Sequence, residues 1–333
     1  MIAVVQKTAV TGIKPTGTPH LGNYLGMIKP ALELAADYQS FYFIADYHAL
    51  TTIRDSVTLR QYTYEAAATW LALGLDPDRV VLYRQSDITE VFELAWILSC
   101  STAKGLLNRA HAYKAAADAN TSERNPIDEG VNAGLYNYPI LMAADILLFG
   151  TQVVPVGQDQ KQHIEIARDI ASTFNHTYGD IMVLPDALIR DDVKLIPGTD
   201  GRKMSKSYGN TIQVFAPPDQ LRKSIMRIVT DSKSPDDVKD PETCNLFAIY
   251  RHFASASDVE QVRQQYLAGG LAYGALKQTL FERLNETFAP ARERYNALMQ
   301  DTDQLDDILG DGAHQARTLA RPMLDAIRAR VGV

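Results

Sequence analysis

Two segments far apart in the chain carry the residue types that phosphate chemistry needs. The first is Gly12-Ile13-Lys14-Pro15-Thr16-Gly17-Thr18-Pro19-His20-Leu21-Gly22-Asn23. Its glycines let backbone approach a phosphate closely, and the helix expected from Gly22 offers unpaired N–H groups and positive potential. His20 and Asn23 are three apart and fit one face of a first helical turn. The second is Lys203-Met204-Ser205-Lys206-Ser207, in a stretch that also holds Gly198, Gly201 and Gly209. Two ammonium groups on a flexible loop can follow a polyphosphate as charge develops on its leaving portion, and the hydroxyls of Ser205 and Ser207 can donate to phosphate oxygens. Each segment has a plainer alternative. The first could be a Gly/Pro-rich turn with a capping histidine, and the second a solvated basic loop. By residue usage, the pentapeptide arises by chance on the order of once in ten thousand chains of this length. Gly12 and Gly17 match the glycines of a Walker A loop, but Thr18-Pro19 stands where Lys-Ser/Thr is required, and no G-x-G-x-x-G occurs.

Elements able to position these segments follow from hydrophobic patterning. The first 185 residues alternate strands and helices. Strands are expected at Val4-Val5 with Ala9-Val10, at Ser40 to Ala45, at Val80 to Tyr83 and, shortened by Pro155, at Val153 to Val156. Helices are expected over Gly22 to Ala36 with a kink at Pro30, and over Leu59 to Leu73, Val91 to Leu98 and Asp159 to Phe174. This alternation implies α/β architecture, a doubly wound parallel sheet with helices on both faces and ligands beyond the carboxyl ends of its strands. Ala115 to Gly134 is polar and pattern-poor and reads as a surface insertion. Pro185 to Asn210 reads as loop. From Pro217 onward the periodicity is helical only, so a mobile loop followed by an all-helical domain is expected over 191–333 after a sheet domain over 1–190, with the last helix able to pack back on the sheet domain.

Composition narrows the class of protein. The 333 residues carry a net charge of -7, which excludes a nonspecific nucleic-acid coat but leaves room for a local basic face. Arg317, Arg321, Arg328 and Arg330 form one candidate face, with a solvated helix surface as its alternative. Two cysteines, Cys100 and Cys244, are too few and too far apart for a disulfide framework or a cysteine zinc site. His163-Ile164-Glu165 matches half of a zinc deaminase signature, but the Pro-Cys-x-x-Cys half is missing, so no metal ligand set is expected. No signal peptide and no membrane span are expected, and the cytoplasm is the expected compartment.

Taken together, His20-Leu21-Gly22-Asn23 and Lys203 to Ser207 resemble the paired signatures of class I aminoacyl-tRNA synthetases, which implies a Rossmann-like catalytic fold. Within that class three stretches are similar to tryptophanyl-tRNA synthetases: Tyr138 to Leu148, Val154 to His163, and Phe43 to Ala49. The resemblance implies activation of tryptophan by ATP with magnesium (Mg2+), then transfer to the 3′-terminal adenosine of tRNA(Trp), in a homodimer. It assigns His20, Lys203 and Lys206 to the charged phosphates. It assigns Lys14, Pro15, Thr16, Gly22, Asn23, Met204, Ser205 and Ser207 to ATP, with Gly157, Gln158 and Asp159 at the ribose and Leu195 at the adenine. Lys114 falls where relatives place a phosphate-binding lysine. Asp145, on an otherwise apolar helix, needs a partner, and an indole N–H is a lone donor that a carboxylate can accept. The alternative for Asp145 is a structural acceptor in the core. Tyr138 and Gln160 are assigned to the amino acid's ammonium group. Met142, Val154 and Val156 would line the indole slot or serve as ordinary core. His48 borders the same pocket or is structural. Val10 stands where some relatives carry an aromatic residue.

Overall fold

The computed structural model describes residues 6–157, 160–189 and 196–333. Strands β1 (Thr8–Ile13), β2 (Gln39–Ile44), β3 (Val80–Arg84), β4 (Val153–Pro155) and β5 (Asp186–Leu188) form one parallel sheet in the order β3-β2-β1-β4-β5. Val10 lies opposite Phe41, and Phe41 opposite Val81. Parallel strands need crossovers, and helices supply them. They are α1 (Leu21–Asn23) and α2 (Lys29–Leu34) after β1, and α3 (Asp46–Ala49) and α4 (Ser56–Ala72) after β2. Next come α5 (Glu90–Ser101), α6 (Lys104–Leu107), α7 (His111–Glu123) and α8 (Ala133–Leu147) after β3, then α9 (Lys161–Tyr178) after β4. Strand order reverses between β1 and β4, so the loops leaving those two strands open a crevice at their carboxyl ends. Val4 and Val5, Gln158, Asp159 and Leu195 lie outside the described residues.

Three expectations are corrected. The helix expected over Gly22 to Ala36 does form, from Leu21 to Leu34, but as α1, a π-helical stretch Tyr24–Ile28 and α2 in unbroken succession rather than as one α-helix kinked at Pro30. The Lys29 N–H reaches the Tyr24 carbonyl, and this wide turn precedes Pro30, whose ring would collide with a tighter helix. The segment read as an insertion begins as α7, in which only Ala117 is buried. Alanine-rich composition favours that helix without giving it an apolar stripe, so periodicity missed it. Within the segment read as loop, Asp186–Leu188 pairs with β4; three residues are too few to show a pattern.

Beyond residue 196 come α10 (Pro218–Met226), α11 (Asn245–Tyr250), α12 (Ala256–Ala268), α13 (Tyr273–Gln300) and α14 (Thr302–Val331). Two apolar clusters flank the sheet. One gathers Tyr42, Ile44, Leu82, Trp70 of α4 and Leu280 and Leu284 of α13; the other gathers Val10, Phe41, Phe43, Tyr83 and the buried faces of α8 and α9. Helix α14 joins both, giving Leu305 and Leu309 to the first and Ala316, Ala320, Leu324 and Ile327 to the second. It crosses from one to the other at Gly312, where an added Cβ would lie 1.8 Å from the Leu82 carbonyl oxygen. The open edge of β3 is thereby covered.

The arginine-rich stretch of α14 is solvent-facing in part, with Arg321 and Arg330 exposed, yet each of its four arginines has a partner on the sheet domain. Arg317 and Arg321 both donate to buried Glu90 of α5, Arg328 pairs with Glu93, and Arg330 reaches the Tyr178 carbonyl.

Candidate active site

Backbone pairing brings the two phosphate-chemistry segments together. The Leu21 N–H donates to the Ile212 carbonyl at 2.9 Å, and the Val214 N–H to the Pro19 carbonyl at 3.1 Å, with His20 bridged to Gln213. The Lys203–Ser207 loop leaves this ladder and folds back on the turn after β1. Met204 is buried with its Cβ against Gly22, and Lys206 Nζ donates to the Thr16 carbonyl at 2.6 Å. Gly17 turns with φ +86°, and a side chain there would meet Tyr62.

Asn210 holds the loop's shape. It is buried, donates to Asp200 Oδ1 and the Lys203 carbonyl, and accepts from the Ser205 N–H. Ser205 and Ser207 share a hydroxyl hydrogen bond at 2.8 Å, while the Lys203 and Ser207 side chains face solvent. Lys203 joins the site by backbone only, through its bridge to Pro197.

The histidine is tuned by the same closure. His20 Nδ1 accepts from the Asn23 N–H, and Asn23 Oδ1 accepts from the His20 N–H, a reciprocal cap that starts α1. Burial, with the Lys206 charge beside it, pushes the His20 pKa down to about 4. At neutral pH the ring is uncharged, with Nδ1 committed as acceptor and the proton on Nε2, so it offers a hydrogen bond rather than a charge. Lys206 is itself lowered by desolvation, which Glu65 opposes. Lys14, lowered by burial, donates to Thr51 Oγ1, and Thr51 donates to the His48 carbonyl.

On the other flank stands Asp145 of α8, only 2% exposed. His48 Nε2 donates to its Oδ2 at 3.0 Å, and Gln85 Nε2 to both oxygens at 3.0 and 2.8 Å. Burial raises its pKa, while hydrogen bonds from His48 and Gln85 oppose the rise. A hydrogen-bonded path, Lys14–Thr51–His48–Asp145, therefore joins the two flanks. Tyr138 and Gln160 meet through His163, whose Nε2 contacts the Tyr138 hydroxyl at 2.6 Å and whose Nδ1 contacts Gln160 Oε1 at 2.9 Å. Both ring nitrogens of the half-signature histidine are thus engaged in hydrogen bonds. Val154 is buried with Val10 and Phe43, and Met142 and Val156 pack partly buried against that cluster. Gly157 is exposed at the end of β4, and Lys114 is exposed on α7.

A cavity of about 280 Å³ opens nearby, lined in part by Tyr47, His48, Phe92, Trp96, Tyr138 and Leu141. Trp96, at its rim, is 71% exposed.

The model of the class I tRNA synthetases (W and Y) matches residues 5–289. The tryptophan–tRNA ligase of Pseudomonas aeruginosa is 53% identical, covering 97% of this chain and 73% of the relative, and that of Xanthomonas campestris is 51% identical, covering 97% and 76%. The chain belongs to the tryptophan–tRNA ligases of class I. Its fold matches the tryptophanyl-tRNA synthetase of Campylobacter jejuni, complexed with ADP and tryptophan, at a TM-score of 0.88 and 45% identity, covering 98% of this chain and 100% of the other. The Mycoplasma pneumoniae synthetase matches at 0.77 with 29% identity, covering 98% of each chain.

For a ligase of this family, sequence reasoning passed over three residues. Gln85, fully buried, directly follows β3, and a polar residue at the carboxyl end of a parallel strand is a readable sign. Asn210 and Gln213, which shape and anchor the Lys203–Ser207 loop, carry no such sign, because their partners are set by tertiary pairing.

Proposed function

We propose that this tryptophan–tRNA ligase works at the β1/β4 crevice with the following assignments. ATP lies between the turn of Lys14, Pro15, Thr16, Gly22 and Asn23 and the loop of Lys203, Met204, Ser205, Lys206 and Ser207, with Gly157, Gln158, Asp159 and Leu195 at its nucleoside. Magnesium arrives with the phosphates. Tryptophan lies against α8, its indole N–H on Asp145, its ring beside Met142, Val154 and Val156, and its ammonium group toward Tyr138 and Gln160. The tryptophan carboxylate attacks the α-phosphorus in line, giving the adenylate and pyrophosphate. No protein nucleophile takes part, so catalysis is positioning and charge stabilisation. Lys206 trades the Thr16 carbonyl for phosphate oxygens, Lys203 swings in from solvent, and the His20 Nε2–H donates to the charge that develops. The 2′-hydroxyl of the terminal adenosine of tRNA(Trp) then attacks the carbonyl carbon of the adenylate, taking the tryptophanyl group as the mixed anhydride breaks and AMP leaves.

The observation that carries this reading is the Lys14–Thr51–His48–Asp145 path, which sets a phosphate-facing lysine and a buried carboxylate on one framework. Residues 191–333 form the tRNA-reading part, with α14 docked on the sheet. A second copy of the chain covers the face around Trp96, Tyr47 and Leu50, all exposed and apolar beside the cavity. No described helix is long and apolar enough to cross a membrane, and the cytoplasm, where tRNA is charged, is the compartment proposed. Tryptophan-dependent ATP–pyrophosphate exchange tests the reading: wild type exchanges, and Asp145→Ala and Lys206→Ala lose most of it. Exchange driven by tyrosine instead, or unchanged in both variants, overturns it.

A further inference from the structure

Asp145 is not held by the histidine alone. Gln85 has zero exposure, and its amide orientation is set from both ends: Oε1 accepts from the His48 N–H at 3.3 Å, which turns Nε2 onto the two carboxylate oxygens. Among the described residues, Oδ1 accepts from Gln85 only, while Oδ2 accepts from Gln85 and His48. A carboxylate has about four lone-pair sites, so one on Oδ1 stays open. The neighbouring Arg84 is fastened outside the pocket by Asp87 at 2.8 Å and by Asp306 of α14 at 2.6 Å, so the backbone that carries Gln85 is tied to the last helix.

We infer that Gln85 is the positioning residue for tryptophan selectivity: it orients the Asp145 carboxylate, favours its anionic form alongside His48, and leaves one Oδ1 lone pair for the indole N–H. The inference rests on the proposed role of Asp145. The groups facing that carboxylate are His48 of α3, Asp46 beside it, Tyr83 of β3, and Gln85 itself. Burial alone favours a protonated Asp145, and a neutral carboxyl accepts less strongly from the indole.

The test measures exchange with tryptophan and with its benzothiophene analogue, which lacks the ring N–H, across pH 6–8. In Gln85→Leu the preference for tryptophan falls about tenfold, roughly the difference between a charged and a neutral acceptor. Its KM for tryptophan rises as pH falls, while the KM for ATP and kcat at saturating tryptophan hold. Gln85→Glu keeps the shape but can donate only when protonated, so its KM for tryptophan rises in the opposite direction, as pH increases. Opposite pH trends in the two variants are the expected signature. A folded pair of variants with wild-type preference, or with parallel pH profiles, overturns the inference. Asp145→Ala, which removes the acceptor, separates the two readings. If it erases the analogue preference while Gln85→Leu does not, only the role of Gln85 fails; if it leaves the preference intact, the role of Asp145 fails as well.

Discussion

Lys206 Nζ meets the Thr16 carbonyl oxygen at 2.6 Å across 190 positions of chain. A carbonyl is a neutral acceptor, so an anionic phosphate arriving at the turn displaces it for the ammonium group. Lys206→Ala is expected to lower kcat for exchange by about 10²–10³-fold, the usual loss when one donor to developing charge is removed. The KM for tryptophan stays within about twofold, since α8 is untouched. A change in tryptophan KM with kcat intact contradicts the assignment.

His20 predicts a pH-dependent stability. Its folded pKa of about 4 lies below the ordinary histidine value of 6.5, so between those limits the unfolded chain binds a proton that the folded chain refuses. The destabilisation is absent above pH 6.5 and grows as pH falls, reaching about 3 kcal/mol near pH 4. His20→Gln lacks it. Urea unfolding of both proteins from pH 7.5 to 4 checks this, and a constant difference between them rules it out.

Glu90 links α14 to α5. It is buried, whereas Arg317 is 33% and Arg321 65% exposed at the side chain. A double-mutant cycle with Glu90→Ala should give the larger coupling to Arg317, and with Arg321 less than about 1 kcal/mol, as for solvent-screened pairs. Equal couplings argue against this ordering.

Gly312→Ala opposes two effects. Alanine favours a helix over glycine by about 1 kcal/mol, while overpacking costs roughly 1–3 kcal/mol or more. With a Cβ 1.8 Å from the Leu82 carbonyl oxygen, the clash wins and the variant is less stable. Gly310→Ala, where a Cβ meets nothing within 4 Å, is stabilised or neutral. Calorimetric melting of the pair reads the sign directly.

The limits of sequence reading are physical. Strands β2 and β3 are legible as aromatic and β-branched runs, and α4, α5 and α9 as long apolar-bearing segments. Helix α7 is not, because a helix that buries one residue leaves no stripe. The segments around His20 and Lys206 stand out by residue type. What joins them does not: two backbone hydrogen bonds between residues 19–21 and 212–214 depend on no particular side chain. Asp145 announces its need for a partner by standing in an apolar helix. Nothing local says that Gln85, 60 positions earlier, meets that need.

The Gly312 crossing also sets a schedule. Arg317 follows Glu90 by 227 positions, so at about 5–20 residues per second the ribosome takes roughly 10–45 s to supply the cover for a strand and helix already made. Throughout that interval the nascent chain exposes an unpaired β3 rim and two half-walled apolar clusters, the surfaces on which chains stick to one another. Lesions in α14 should therefore appear first as lost soluble yield, in cells short of holdase chaperones.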